Sequence, residues 1–376
     1  MNIYFDNAAT TPVDRLVSKA MFDWQSTNFG NPSSPHKHGQ VSKIRLEEVR
    51  DTIAVILGCM SKEIIFTSGG TESNNKAIIG TALANTAKGK HLVVSAVEHP
   101  SVISACDYLE KLGFEITYIN PQMDGSLKLN VFEDVIREDT ILVSAMYVNN
   151  ETGIIFPIQE ISDICKNKGV LFHCDAVQAF AKMKIDVNKA GIDLLSFSAH
   201  KIYGPKGVGG LFVKEGVALN ELSFGGGQEA NRRAGTENLT GIIGLGKAVE
   251  LMQNQKDWNK VSDLKAVFEA KVIQYIENAF IVGRDSERSP YLSNISFPGA
   301  DNQSLLLKLD LNGLSASVGS ACSSGSIKQS KVLQAMNLSK EIISSSVRFS
   351  FSRYNSMDEI EKSVNIIKKA VQELRN

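Results

Sequence analysis

Seven short runs up to residue 213 are apolar almost throughout, and helical patterns separate them. They are Glu63-Ile-Ile-Phe-Thr67, His91-Leu-Val-Val-Ser95, Glu115-Ile-Thr-Tyr-Ile119, Thr140-Ile-Leu-Val-Ser144, Val170-Leu-Phe-His173, Leu194-Leu-Ser-Phe197 and Gly210-Leu-Phe-Val213. A strand with no polar side must be buried on both faces, which a largely parallel sheet covered by helices provides. The periodic stretches between them, such as Val131–Ile136 and Ile158–Cys165, supply the crossover helices of an α/β fold. After about residue 240 the texture changes. A helical stretch runs from about Gly241 to Ile276, followed by a strand at Asn294–Phe297 and a helix near Gln303–Leu309. A Ser/Gly-rich loop at Ser315–Ser326, a strand at Ser346–Ser350 and an amphipathic helix at Met357–Leu374 complete the chain. This predicts a large domain over 12–256 and a smaller α+β domain from 257–376, onto which the extended residues 1–11 pack.

Composition removes several function classes. Forty basic residues against forty-one acidic ones leave a formal net charge of -1, so no global basicity favours nucleic acid. The opening Met1–Asp6 lacks the basic-then-apolar order of a signal peptide, and no run approaches the ~18 apolar residues of a membrane span. A cytoplasmic protein is expected. The five cysteines are odd in number and none are spaced C-x-x-C, which argues against a disulfide framework or a zinc site. Cys59, Cys106 and Cys165 read as small core residues. No G-x-G-x-x-G opens the first strand–helix unit, which disfavours a dinucleotide site.

Four features suit a phosphorylated ring cofactor. In Ser196-Phe-Ser-Ala-His200-Lys201 a lysine follows a buried strand and precedes the glycine-bearing loop Ile202–Gly207. Desolvation there favours the neutral amine that a Schiff base with an aldehyde requires. Ser198 and His200 flank it as hydrogen-bonding groups for a phosphate and a ring; an ordinary surface lysine is the plain alternative. The run Thr67-Ser-Gly-Gly-Thr71-Glu72-Ser73-Asn74-Asn75 joins a strand to a helix start, a place suited to an anion and equally to a simple cap. Glu98-His99-Pro100-Ser101 puts a histidine at a strand's C-terminal end, where an open α/β sheet binds ligands. In Phe172-His-Cys-Asp175-Ala-Val-Gln178 an aspartate ends a buried strand; a protonated pyridine nitrogen would be a fitting partner, and a helix cap is the alternative.

Taken together, these segments resemble the cysteine desulfurase family of class V, fold type I pyridoxal-phosphate enzymes. The resemblance extends through Tyr4–Pro12, Asn28–Ser33, Phe66–Ser73, Val148–Glu151, Asp175–Gln178, Ser196–Gly207, Arg233–Thr236 and Gly319–Cys322. It implies a mostly parallel seven-stranded sheet in the large domain. It implies that Lys201 carries the cofactor, Asp175 pairs with the ring nitrogen, Gln178 contacts the ring oxygen and His99 stacks on the ring. Gly70, Thr71, Ser198 and His200 are implied to hold the phosphate, with Asn150 near the ring. Thr236 resembles the residue that reaches the neighbouring subunit's phosphate, which implies a homodimer. Arg348, assisted by Asn31, resembles the clamp on the substrate carboxylate.

Cys322 separates a desulfurase from its relatives. It lies in Ser315–Ser326, ten of whose twelve residues are Gly, Ala or Ser, so the loop has little to bury and is expected to be mobile. The resemblance implies conversion of L-cysteine to L-alanine, with sulfur left on Cys322 as a persulfide for an acceptor protein, and His99 assisting proton transfer. A selenocysteine lyase, an aminotransferase of the same fold and a non-catalytic sulfur-handling scaffold remain open. Long relatives that serve an iron–sulfur scaffold carry a tail beyond the point where this chain stops, Asn376, so a tRNA-thiolation enzyme stands level with that scaffold as acceptor.

Overall fold

The structure, a computed structural model, describes residues 2–319 and 329–376. An extended arm opens the chain, with β1 at Ile3–Tyr4. The seven apolar runs become β2 (Ile64–Thr67), β3 (His91–Ser95), β4 (Glu115–Ile119), β5 (Thr140–Ser144), β6 (Leu171–Asp175), β7 (Leu194–Ser198) and β8 (Gly209–Val213). They form one sheet in the order β2-β8-β7-β6-β5-β3-β4. Strands β3 to β7 pair in parallel, and β8 runs antiparallel to both β2 and β7.

Successive side chains enter different apolar clusters. Val93, Phe172, Leu195 and Phe197 pack in one, Leu92, Val94, Leu142 and Leu194 in the other. This two-sided burial explains why the runs carry no polar alternation. Each fully buried Leu or Val contributes about 1.5–3 kcal/mol, which makes the sheet a stiff platform. The edge strand β4 is the exception: Glu115 is exposed and its middle residues are only half-buried.

The sheet positions a site by its topology. Strand β3 pairs with β4 on one side and β5 on the other, so the strand order reverses there. Ligands of open α/β sheets bind beyond the strand C-termini at such a reversal. The segments after β3, β5, β6 and β7 all leave from that edge.

The C-terminal layer contains β9 (Phe280–Ile281), β10 (Leu292–Ser296), β11 (Leu314–Ser315) and β12 (Ser346–Ser350). Strands β12, β10 and β9 form an antiparallel sheet, and β11 pairs with β1 in parallel. The helix Met357–Arg375 starts with a reciprocal cap between Ser356 and Glu359. The single helix expected over Gly241–Ile276 is instead two, Leu239–Leu251 and Gln255–Tyr275. Polar Gln253 and Asn254 lie at the break, where Asn254 bonds to Asp257 at 3.3 Å; asparagine competes for backbone-like contacts and favours such ends.

The N-terminal arm does more than pack on the small layer. Phe5 accepts from the Ser350 amide at 2.7 Å, and Asn7 Nδ2 donates to the Ser350 carbonyl at 2.8 Å. The arm then crosses to the large sheet, where the Thr11 amide donates to the His200 carbonyl at 2.9 Å. Among the described residues no helix is long and apolar enough to cross a membrane, and no cluster of three metal-binding side chains occurs.

Candidate active site

Five segments from the strand C-termini, with β12 and the arm, line one cavity of about 220 Å³. Gly70, Thr71 and Asn74 come from the helix after β2, His99 from the turn after β3, and Asn150 from the segment after β5. Asp175, Gln178, Ser198, His200 and Lys201 follow from β6 and β7, Arg348 from β12, and Ala8 and Ala9 from the arm. The volume is below the ~300–1,000 Å³ of drug-sized sites, so a compact molecule fits. A larger cavity of about 540 Å³ opens elsewhere, but its buried charges Arg50 and Glu229 are already joined to each other at 2.8 Å.

Lys201 ends a single helical turn directly after β7, and its Nζ donates to the carbonyls of Ala8 and Ala9 at 2.6 and 2.7 Å. Asp175 closes β6 and is buried; its Oδ1 accepts from the Val177 amide at 2.9 Å and its Oδ2 from Asn74 Nδ2 at 2.7 Å. Asn74 Nδ2 also donates to Ser101 Oγ at 2.9 Å, and that hydroxyl lies 2.7 Å from His99 Nδ1. The Ser101 amide donates to the same ring nitrogen at 3.1 Å. A nitrogen that accepts carries no proton, so the neutral His99 ring holds its proton on Nε2. Burial, partly offset by the Asp175 charge, lowers the His99 pKa and keeps the ring neutral. His200 is neutral as well: burial first, then neighbouring lysines, push it down to about 3.

Ser198 Oγ is buried with no hydrogen-bond partner. Gly70 admits no side chain, since a Cβ there would come within 2.7 Å of Val177. An unsatisfied hydroxyl beside a glycine-tight helix start suits an anionic group. Arg348 is buried on β12; Nη2 donates to Asp6 at 2.9 Å, Nη1 to the Asn150 carbonyl at 2.8 Å, and Nε has no partner.

Two expected site residues lie elsewhere in the chain. Asn31 is exposed and does not line the cavity, because its Oδ1 accepts from the Ser33 amide at 2.9 Å in a local Asn-Pro-Ser turn. Thr236 is exposed and lines a separate cavity with Arg233 and Glu237. Cys322 lies outside the described residues. The residues bordering its segment converge on Glu151, which is buried: Ser330 Oγ donates to Oε2, and a Cβ on Gly319 would meet the same oxygen at 1.9 Å.

Sequence reasoning assigned no role to Glu98, Asn74, Glu151 or Lys182. Glu98 is buried, with Oε1 accepting from the Met146 amide at 2.6 Å and Oε2 unpartnered. Burial, then the Asp175 charge, push its carboxyl up to about 8. The folded state therefore keeps a proton that the unfolded chain releases above its ordinary value, so stability falls as pH rises toward about 8. Glu98→Gln stays neutral throughout. Its thermal midpoint should gain on the parent's as pH rises from about 5 to about 9, and a constant gap would show that folded Glu98 is already ionised at about pH 5.

This fold and this arrangement define a class: the chain belongs to the aminotransferase class-V family, whose profile matches residues 3–362. Within it, the relatives place the chain with the cysteine desulfurases. It is similar to the cysteine desulfurase IscS of Dictyoglomus turgidum at 45% identity over 375 residues, covering 99% of this chain and 95% of that one. Similarity to the protein of the same name from Methanosarcina thermophila is 44% over 377 residues, covering 100% and 93%. Among solved structures, a NifS-like protein matches with a TM-score of 0.93 at 32% identity, over 99% of this chain and 100% of that one. A NifS-like protein from Rickettsia africae matches with a TM-score of 0.89 at 32% identity, over 99% and 100%.

Proposed function

We propose that the protein is a cytoplasmic, pyridoxal-phosphate-dependent cysteine desulfurase that passes sulfur from L-cysteine through Cys322 to an acceptor protein. The observation that carries this reading is that Lys201, Asp175 and Arg348 line one compact cavity. The donor set fits the cofactor: an amine, a buried carboxylate, and the unpartnered Ser198 hydroxyl beside the helix start at Gly70. When bound, pyridoxal phosphate supplies an aldehyde for an amine and a ring that draws electrons from the carbon being activated.

The chain's own groups divide the remaining work. Asp175 would hold the ring nitrogen, Gln178 the ring oxygen, and Ser198, His200, Gly70 and Thr71 the phosphate, with His99 and Asn150 beside the ring. Thr236 would reach the phosphate of a second copy in a homodimer. Arg348 binds the carboxylate of L-cysteine through its planar fork. Lys201 takes the proton from the substrate α-carbon and returns it as a general acid. The neutral His99 serves the substrate thiol. Sulfur leaves the substrate β-carbon for Cys322 Sγ: a carbon–sulfur bond breaks, a sulfur–sulfur bond forms, and the carbon, reduced to a methyl group, departs as L-alanine. No outside oxidant is needed, because oxidation of the enzyme thiol balances reduction of that carbon.

The test is to incubate the purified protein anaerobically with L-cysteine. Alanine should appear as the Cys322 peptide gains the mass of one sulfur atom. Alanine from selenocysteine alone would mark a selenocysteine lyase, consumption of a keto acid an aminotransferase, and a protein that binds no cofactor a scaffold. Offering the loaded enzyme limiting amounts of an iron–sulfur scaffold and of a tRNA-thiolation enzyme then identifies the acceptor.

A further inference from the structure

Directly behind Gln178 lies a lysine that the proposed reaction does not use. Lys182 is buried, and its ammonium position sits 4.1 Å from the centre of the Tyr291 ring. It gets there through Ala181, whose φ of 56° lies in the left-handed region that residues with a side chain rarely adopt. Burying an amine and bending the backbone through such a residue are both costly. The polar contact these costs secure is a hydrogen bond of 3.3 Å from Lys182 Nζ to Gln178 Oε1.

That contact decides which way the glutamine amide points. The oxygen and nitrogen ends of an amide have nearly the same shape, so packing alone does not choose between them. The partners here do. The Ala8 carbonyl can only accept, and it receives Gln178 Nε2 at 2.8 Å. Lys182 Nζ donates to Oε1, and as an ammonium it has no lone pair with which to accept from the nitrogen end. Tyr291 contributes little to the choice: its hydroxyl donates to the Gln178 backbone carbonyl at 2.6 Å and lies 3.5 Å from Oε1. A flipped amide would set acceptor against acceptor at Ala8 and, at a Lys182 ammonium, donor against donor. The arrangement also reaches the reactive lysine, because the same Ala8 carbonyl accepts from Lys201 Nζ.

We propose that Lys182 is a positioning residue: its hydrogen bond to Gln178 Oε1 turns the donor end of that amide toward Ala8 and the cavity. This rests on the reading that Gln178 serves the cofactor's ring oxygen, which needs a donor from the protein. Pyridoxal phosphate is the probe. Lys182→Met should release the ligand from the loaded protein about 2- to 10-fold more readily, the worth of one hydrogen bond, and should shift the pH midpoint of the bound chromophore. Gln178→Ala should do the same. The double variant should be no worse than Gln178→Ala alone, because Lys182 acts through the glutamine. An unchanged spectrum and affinity in Lys182→Met overturns the proposal, as does a full additional loss in the double variant. A measurement on the unmutated apoprotein covers the case in which Lys182→Met fails to fold. With nitrogen-labelled glutamine, the Gln178 side-chain amide protons should show a contact to Ala8; a contact to Lys182 instead overturns the assignment. If the unmutated protein takes up no pyridoxal phosphate, the cofactor reading fails, while the amide contacts still decide the orientation.

Discussion

Replacing Lys201 with alanine is expected to lower alanine formation from L-cysteine by at least about 10²–10⁴-fold, the range for loss of a positioned acid–base group. The variant should also fail to hold pyridoxal phosphate covalently, while melting close to the parent. The structure gives three reasons. Lys201 is the lysine among the residues lining the cavity. Its amine is aimed by two backbone carbonyls, Ala8 and Ala9, which a substitute on another segment would not meet. Another buried amine, Lys182, is bonded to Gln178 and does not line the cavity. Alanine formation within tenfold of the parent would remove Lys201 from the reaction. Borohydride trapping of the ligand on Lys182 in the variant would show that the second lysine can replace it.

Cys322→Ser should abolish alanine formation and persulfide formation, yet leave pyridoxal-phosphate uptake unchanged. A serine hydroxyl offers no sulfur to form a persulfide and is a far weaker nucleophile than a thiolate at neutral pH. The four described cysteines offer no replacement. Cys106, Cys165 and Cys174 are buried, and Cys59 is half-buried. Burial pushes the thiols of Cys59, Cys106 and Cys165 up to about 12, and that of Cys174 well above its ordinary value. None provides an appreciable thiolate at pH 7. Stoichiometric alanine from the serine variant would transfer the sulfur step away from Cys322. Loss of cofactor uptake in that variant would instead give Cys322 a role in holding the site together.

The parts of this architecture that depend on local pattern were legible in the amino-acid order. Strands such as His91–Ser95 had to be apolar on both faces, and the structure buries all five residues. Lys201, Asp175 and His99 were recognisable because each follows or ends such a strand, which fixes the sheet edge it occupies. Features that depend on distant partners were not legible. Nothing around Ala8 announces that its carbonyl, 193 residues before Lys201, will receive that amine. Nothing around Asn74 announces that its amide will join Ser101 to Asp175, 101 residues away. Lys182 carried no local signal of its burial, since the Tyr291 ring it sits against lies far along the chain. The break at residues 252–254 was missed although the polar run Gln253–Asp257 crosses it, because the apolar residues on either side fit one broadly periodic helix.

The pairing of the arm with the last strand has a consequence for how the protein is born. Asp6 bonds to Arg348, which is synthesised 342 positions later. Domains generally fold from the N-terminus as synthesis proceeds. The large sheet can therefore be complete while the arm that covers Lys201 still has no strand to anchor it, and the arginine proposed to clamp the substrate does not yet exist. A chain synthesised only as far as the large sheet therefore holds the platform of Lys201 without Arg348 or the strand that carries it.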